Sequence, residues 1–242
     1  VGEFITTLNN QKTSVSTKLQ LVYACCFPFF TILALGIDSV SFTNQYFDGR
    51  QITNVLAVLY FLGFYSVSNL TLRRLMLVML GLSYIGELIF CKLLGMYEYR
   101  TPMIPLYVPF GHAVVYASGY VYAHAVWSLE KELHLRKYFL WFFALLFLGV
   151  GLFLKDFFSM MFGLLFFVLL KRKRWQNLYC FIALCVVFIE LVGTYFKCWT
   201  WVPDIFGCIP TSNPPMGAVF FYAGGDVLLA KIVKTWENKK VK

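Results

Sequence analysis

A chain of 242 residues that is 60% hydrophobic and only 14% charged, with mean hydropathy +0.69, is too apolar for a water-soluble domain, since such domains carry about 25% charged residues. Its formal net charge of +9 must therefore come from where charges sit around a membrane rather than from a nucleic-acid interface. A spanning helix needs roughly 17–25 mostly apolar residues.

In chain order, a polar N-terminal segment (1–18) precedes apolar stretches at 19–37, 54–68, 75–96, 104–127, 138–154, 157–170, 177–197 and 214–234, and a basic tail follows (235–242). No cleavable signal peptide is expected, because the first apolar run starts only after Lys18 and lacks a small-residue cleavage site. The block from Tyr138 to Leu170 is too long for one span and carries Lys155-Asp156 at its centre. A charged pair in hydrocarbon is costly, so two short spans turning at Lys155-Asp156 are expected. The expected fold is all-α: a polytopic integral membrane protein with eight transmembrane helices.

Lys and Arg mark the cytoplasmic side of short loops. With eight spans and the N-terminus inside, sixteen of the 21 basic residues fall inside and five outside: Arg50, Lys92, Arg100, Lys155 and Lys197. Both termini are then cytoplasmic. The run Lys171-Arg172-Lys173-Arg174 reads as an anchor on anionic headgroups, and no nucleic acid is expected as a partner.

An internal repeat is the most informative feature. Glu87 is followed by Tyr97-Glu98-Tyr99, Ile104-Pro105, Pro109-Phe110-Gly111 and Tyr116. Glu190 is followed by Trp199-Thr200-Trp201, Ile209-Pro210, Pro215-Met216-Gly217 and Tyr222. The copies divide the chain into two four-helix repeats, 19–130 and 131–234. An even number of spans in each makes the repeats parallel, related by an axis along the membrane normal.

Each glutamate falls on the outer half of its span: Glu87 lies about 20 Å along the helix from Arg74, and Glu190 about 24 Å from Arg174. Two roles are open for them. They accept hydrogen bonds from the Ile-Pro loops and pin each outer cap, or they line a substrate site at the repeat interface. The pairs Tyr97/Tyr99 and Trp199/Trp201 match an interfacial aromatic belt. His112, Tyr116, Tyr120 and His124 recur every four residues as a polar-aromatic stripe, with His112 at nearly the depth of Glu87. Asp226, beyond Gly224-Gly225, is another costly intramembrane charge. Glu87, His112, Glu190 and Asp226 are thus candidate catalytic groups. Tyr97, Tyr99, Tyr116, Tyr120, Trp199, Trp201 and Asn213 are candidate binding residues.

No His-x-x-x-His pair, Cys-x-x-Cys or Gly-rich phosphate loop occurs, so neither metal nor cofactor is expected. Cys25, Cys26, Cys91, Cys180 and Cys185 read as small buried apolar residues. Cys198 and Cys208 share the last outer loop and are a candidate disulfide on an oxidising side.

The arrangement Glu87, Gly95-x-Tyr97-x-Tyr99 and Ile104-Pro105-x-x-Val108-Pro109 resembles a signature of polytopic carotenoid-modifying membrane proteins of the hydratase type. That resemblance implies acid-assisted addition of water to a terminal isoprenoid double bond, with Glu87 as candidate acid. The second copy departs from it in Asn213-Pro214-Pro215 and its Trp-rich loop. A bacterial membrane family without assigned chemistry fits the same residues. The expectations are a multi-pass protein of a bacterial inner membrane, surrounded by membrane lipids, with an outward-facing pocket that binds or modifies a lipidic or isoprenoid molecule. The alternative is a non-enzymatic subunit, transporter or scaffold bound to a membrane protein partner.

Overall fold

The computed structural model describes residues 18–173 and 175–240, with the side chains of Asp226 and 237–240 outside the description. The N-terminal segment up to residue 17, Arg174 of the basic run and the last two tail residues lie outside the described residues. Within them the chain is mostly helical: α1 (Lys18–Ile37), α2 (Val40–Gln45), α3 (Arg50–Val67), α4 (Leu70–Glu87), α5 (Tyr107–His124), α6 (Val126–Glu130), α7 (Glu132–Phe153), α8 (Phe157–Lys171), α9 (Gln176–Tyr195) and α10 (Val219–Lys240). A π-helical segment, Leu88–Leu93, prolongs α4.

Side-chain caps mark several starts. Asn69 accepts a hydrogen bond from the Leu72 amide at α4, and Asp156 accepts one from the Ser159 amide at α8. Each satisfies an amide that the first helical turn leaves open. The break between α7 and α8 falls at Leu154–Asp156, where Lys155 adopts φ 56°.

Among the described residues, five helices are long and apolar enough to cross a membrane: Lys18–Ile37, Leu70–Leu93, Glu132–Phe153, Gln176–Tyr195 and Met216–Trp236. The remaining three long helices each miss one requirement. The 15 residues of α8 rise only about 22 Å, short of the ~30 Å hydrocarbon core. Polar residues lower the hydropathy of α3 (Arg50, Gln51, Thr53, Asn54) and of α5 (His112, His124 and four tyrosines). α5 tolerates its polarity because it is the central helix, packed on by α1, α3, α4 and α9 and mostly buried. Its contact with α9 is close: a Cβ on Gly119 would lie 2.7 Å from the Ile182 backbone. Only a small residue permits that approach.

Apolar side chains also cover the outside of the bundle. Phe153 is 86% exposed and Phe29 78%. Helices apolar on all sides are what a hydrocarbon solvent selects. Cys25 and Cys26 belong to this outer surface of α1, contrary to the expectation that they are buried. Cys91, Cys180 and Cys185 are buried as expected.

At one end of the bundle the connections fold into an ordered cap. Strand β1 (Tyr97–Tyr99) pairs antiparallel with β2 (Trp199–Trp201), Glu98 facing Thr200 at the centre of the ladder. A separate small hairpin joins β3 (Asp204–Ile205) to β4 (Ile209–Pro210). Arg100 links two loops, bonding Asp38 Oδ1 and Asp48 Oδ1 at 2.6 Å each. Tyr107 at the start of α5 donates to the other oxygen of Asp38 at 2.8 Å. Asp156 accepts the Ser159 and Ser212 hydroxyls at 2.6 Å each, tying the α7–α8 turn to the loop before α10.

Candidate functional site

Beneath the cap lies a cavity of ≈ 430 Å³, within the 300–1,000 Å³ typical of small-molecule sites. Its wall is largely apolar, with Phe27, Phe30, Phe90 and Phe221 contributing rings. Among the described residues, Glu87, Tyr107, His112, Glu190 and Tyr222 are the titratable side chains that the helices bring to it.

Glu87 closes the regular part of α4, where the wider π-helical turn begins. Its side chain is 3% exposed. Oε2 accepts the hydroxyls of Tyr97 at 2.8 Å and Tyr99 at 2.7 Å. Oε1 stands 3.1 Å from His112 Nε2, a contact in which the tautomer decides which atom donates. His112 stacks on Tyr222 of α10 at 5.0 Å and 8°. Glu190, near the end of α9, accepts the indole N–H groups of Trp199 at 2.9 Å and Trp201 at 3.1 Å, both on Oε2. Each carboxylate is therefore held by two aromatic donors from the strand that follows its helix, and the two strands are hydrogen-bonded to each other. Burial, with the Glu87 charge second, pushes the Tyr97 and Tyr99 hydroxyls well above the usual phenol range. Both remain donors at neutral pH.

The aromatic pairs differ from an interfacial belt. Tyr97, Trp199 and Trp201 are buried and line the cavity beside Tyr99. The glutamates also take their hydrogen bonds from these rings rather than from the Ile-Pro loops. Their spacing explains why: side chains two apart on a strand share a face, so each x-aromatic-x-aromatic strand presents both donors to one carboxylate. Gly193 makes room, since a Cβ there would lie 1.9 Å from the Trp199 ring.

The stripe on α5 does not line the cavity as a unit. Four residues advance a helix by about 400°, so the stripe turns about 40° per step. His112 faces the cavity, whereas Tyr116 is buried in the core and Tyr120 packs against it. Tyr120 and His124 meet in a tilted contact at 3.8 Å, and His124 meets Trp175 edge-on at 4.3 Å. Asn213 lies behind the ladder, its Oδ1 accepting from the Trp201 amide at 3.1 Å. The Asp226 side chain lies outside the described residues.

Cys198 and Cys208 are both free thiols. Cys198 is buried with Sγ 3.3 Å from the Leu35 carbonyl, while Cys208 is exposed on the β3–β4 hairpin. Cys198 lies in the bend before β2 and Cys208 in the β3–β4 hairpin, so their nearness in sequence does not bring them together. Among the described residues no group of three or more His, Cys, Asp or Glu is arranged to hold a metal ion.

Tyr222 was not among the expected site residues, although it ends the second copy of the motif. Gly111, Gly224 and Gly225 also line the cavity, and a Cβ on any of them would enter open space. Comparison of the chain with family models, curated proteins and solved structures finds no match.

Proposed function

We propose that this is a multi-pass membrane protein whose cavity binds a lipidic or isoprenoid molecule. The single observation that carries the reading is the Glu87–His112 pair set in the wall of a largely apolar cavity of ≈ 430 Å³. An apolar wall suits a hydrocarbon chain, and one polar corner orients its end. Ile85 of α4, Ile89 of the π-helical segment that prolongs it and Leu228 of α10 line the cavity and are also exposed on the bundle surface. In a bilayer that gap is a lateral mouth through which a chain enters from lipid.

The membrane arrangement we infer has eight spans in two parallel four-helix repeats, both termini cytoplasmic and the cap outside. The matching Glu–aromatic–aromatic units support it, because a twofold axis through the centre of the antiparallel β1–β2 ladder exchanges one unit for the other. α5 crosses inside a sheath of more apolar helices, α3 crosses at the bundle surface with Val55, Leu59 and Leu62 exposed, and α8 is a short span. The basic residues at the α7 start and the α8 end lie opposite the cap, which agrees with the positive-inside bias. A bacterial inner membrane is the setting that fits this topology.

If the bound molecule is modified, the proton held between Glu87 Oε1 and His112 Nε2 is the one within reach of it. This is the place where an acid-assisted addition to an isoprenoid double bond belongs. A second reading, a non-enzymatic subunit or transporter, is favoured by the occupancy of Glu87, both of whose oxygens are already engaged.

The test is solvent extraction of protein purified in mild detergent, followed by mass spectrometry. A stoichiometric prenyl or other long-chain molecule in the wild type, depleted in Gly111→Leu, is the expected result. A wild-type protein that carries no such molecule, and takes none up, contradicts the reading.

A further inference from the structure

The end group that the cavity accepts can be read from its second carboxylate. Trp199 and Trp201 both donate to Glu190 Oε2, and Oε1 receives no hydrogen bond among the described residues. Glu190 is 8% exposed and lines the cavity, as does Tyr222. No lysine or arginine lines the cavity among the described residues. A carboxylate oxygen left without a donor beside apolar space favours whatever brings it a proton or a positive charge.

We propose that the cavity selects amphiphiles with a hydrogen-bond-donating end, a hydroxyl or a protonated amine, placed against Glu190 Oε1, and that it rejects carboxylate and phosphate ends. The inference rests on the reading of the cavity as a lipid or isoprenoid site and names the ligand class. Glu87 does not serve this purpose, because its oxygens are occupied by Tyr97, Tyr99 and His112. Glu190 is the open acceptor, and Tyr222, packed on His112, supplies a hydroxyl on the same wall. An anionic end would meet two carboxylates with no lysine or arginine beside them among the described residues, while His112 is already engaged by Glu87, and like charges brought together in a desolvated site repel strongly.

The experiment uses the full chain in nanodiscs of zwitterionic lipid, with four probes on one chain: farnesol, farnesylamine, farnesoic acid and farnesyl phosphate. Binding is followed by the fluorescence of Trp199 and Trp201, with Gly111→Leu as the blocked background. Farnesol and farnesylamine are expected to bind at least about tenfold more tightly than the acid and the phosphate. Glu190→Gln should narrow the gap between amine and phosphate. Tyr222→Phe, which keeps the ring stack on His112, should weaken farnesol by a few fold. Equal binding of all four probes, or preference for an anionic one, overturns the inference and leaves the lipid-site reading standing. Absence of saturable binding by any probe overturns both.

Discussion

His112 Nε2 stands 3.1 Å from Glu87 Oε1, joining the centre of the bundle to the end of α4 across the cavity wall. The same glutamate holds both tyrosines of β1. One buried side chain thus serves the site and the cap together, and substitutions separate the two roles. Glu87→Ala leaves two buried hydroxyls without an acceptor and should cost roughly 3–5 kcal/mol, as for breaking a buried charged network. Glu87→Gln keeps an acceptor oxygen and should cost less. Thermal unfolding in detergent ranks the variants. Equal stability of Glu87→Ala and wild type contradicts the assigned hydrogen bonds.

Two glycines on α5 should respond oppositely to a methyl group. Gly119→Ala forces a Cβ to 2.7 Å from the Ile182 backbone, while Gly111→Ala enters open space. The first should lose about 1–3 kcal/mol by overpacking, and the second should fold normally with altered ligand retention. Melting curves with bound-lipid analysis check both.

Acid should loosen the cap in a defined window. A hydrogen bond from Arg100 holds the Asp48 carboxyl down at about 2 against its ordinary 3.8, with Arg50 adding to the effect and burial opposing it. A depressed folded-state pKa contributes stability that is present above the unfolded value and lost as the pH falls through the folded one. Stability should therefore decline between about pH 4 and pH 2. Arg100→Gln should lower stability at neutral pH and flatten that decline. An unchanged slope in the variant contradicts the Asp48–Arg100 coupling.

Thiol chemistry distinguishes the two loop cysteines. Cys208 is exposed and Cys198 fully buried, and burial pushes the Cys198 thiol further up from its ordinary range. A polar maleimide should label Cys208 promptly and Cys198 only after unfolding. A Cys198–Cys208 disulfide in non-reducing peptide mapping contradicts the arrangement.

Much of the fold is legible in the sequence because lipid solvation imposes long apolar runs. The α7–α8 break at Lys155-Asp156 follows directly from the cost of charge in hydrocarbon. The Glu-aromatic-aromatic motif likewise points to Glu87, Glu190, His112 and the four cap aromatics, all of which line one cavity. What hydropathy hides is shielding. α5 carries six His and Tyr residues and yet lies at the centre, because neighbouring helices replace lipid as its surroundings. Periodicity alone misplaced Tyr116 and Tyr120, since a four-residue repeat drifts around a 3.6-residue helix. Tyr222 was missed because its partner, His112, lies on a helix over a hundred residues away.

The central claim is that the cavity holds an apolar molecule with its end at the carboxylates. A density map of the protein purified with its native lipids tests this most directly. The account predicts continuous elongated density between α4, α5, α9 and α10, with one end within hydrogen-bonding distance, about 3 Å, of Glu190 Oε1. A cavity collapsed by side chains, or one holding only isolated water peaks, would contradict it.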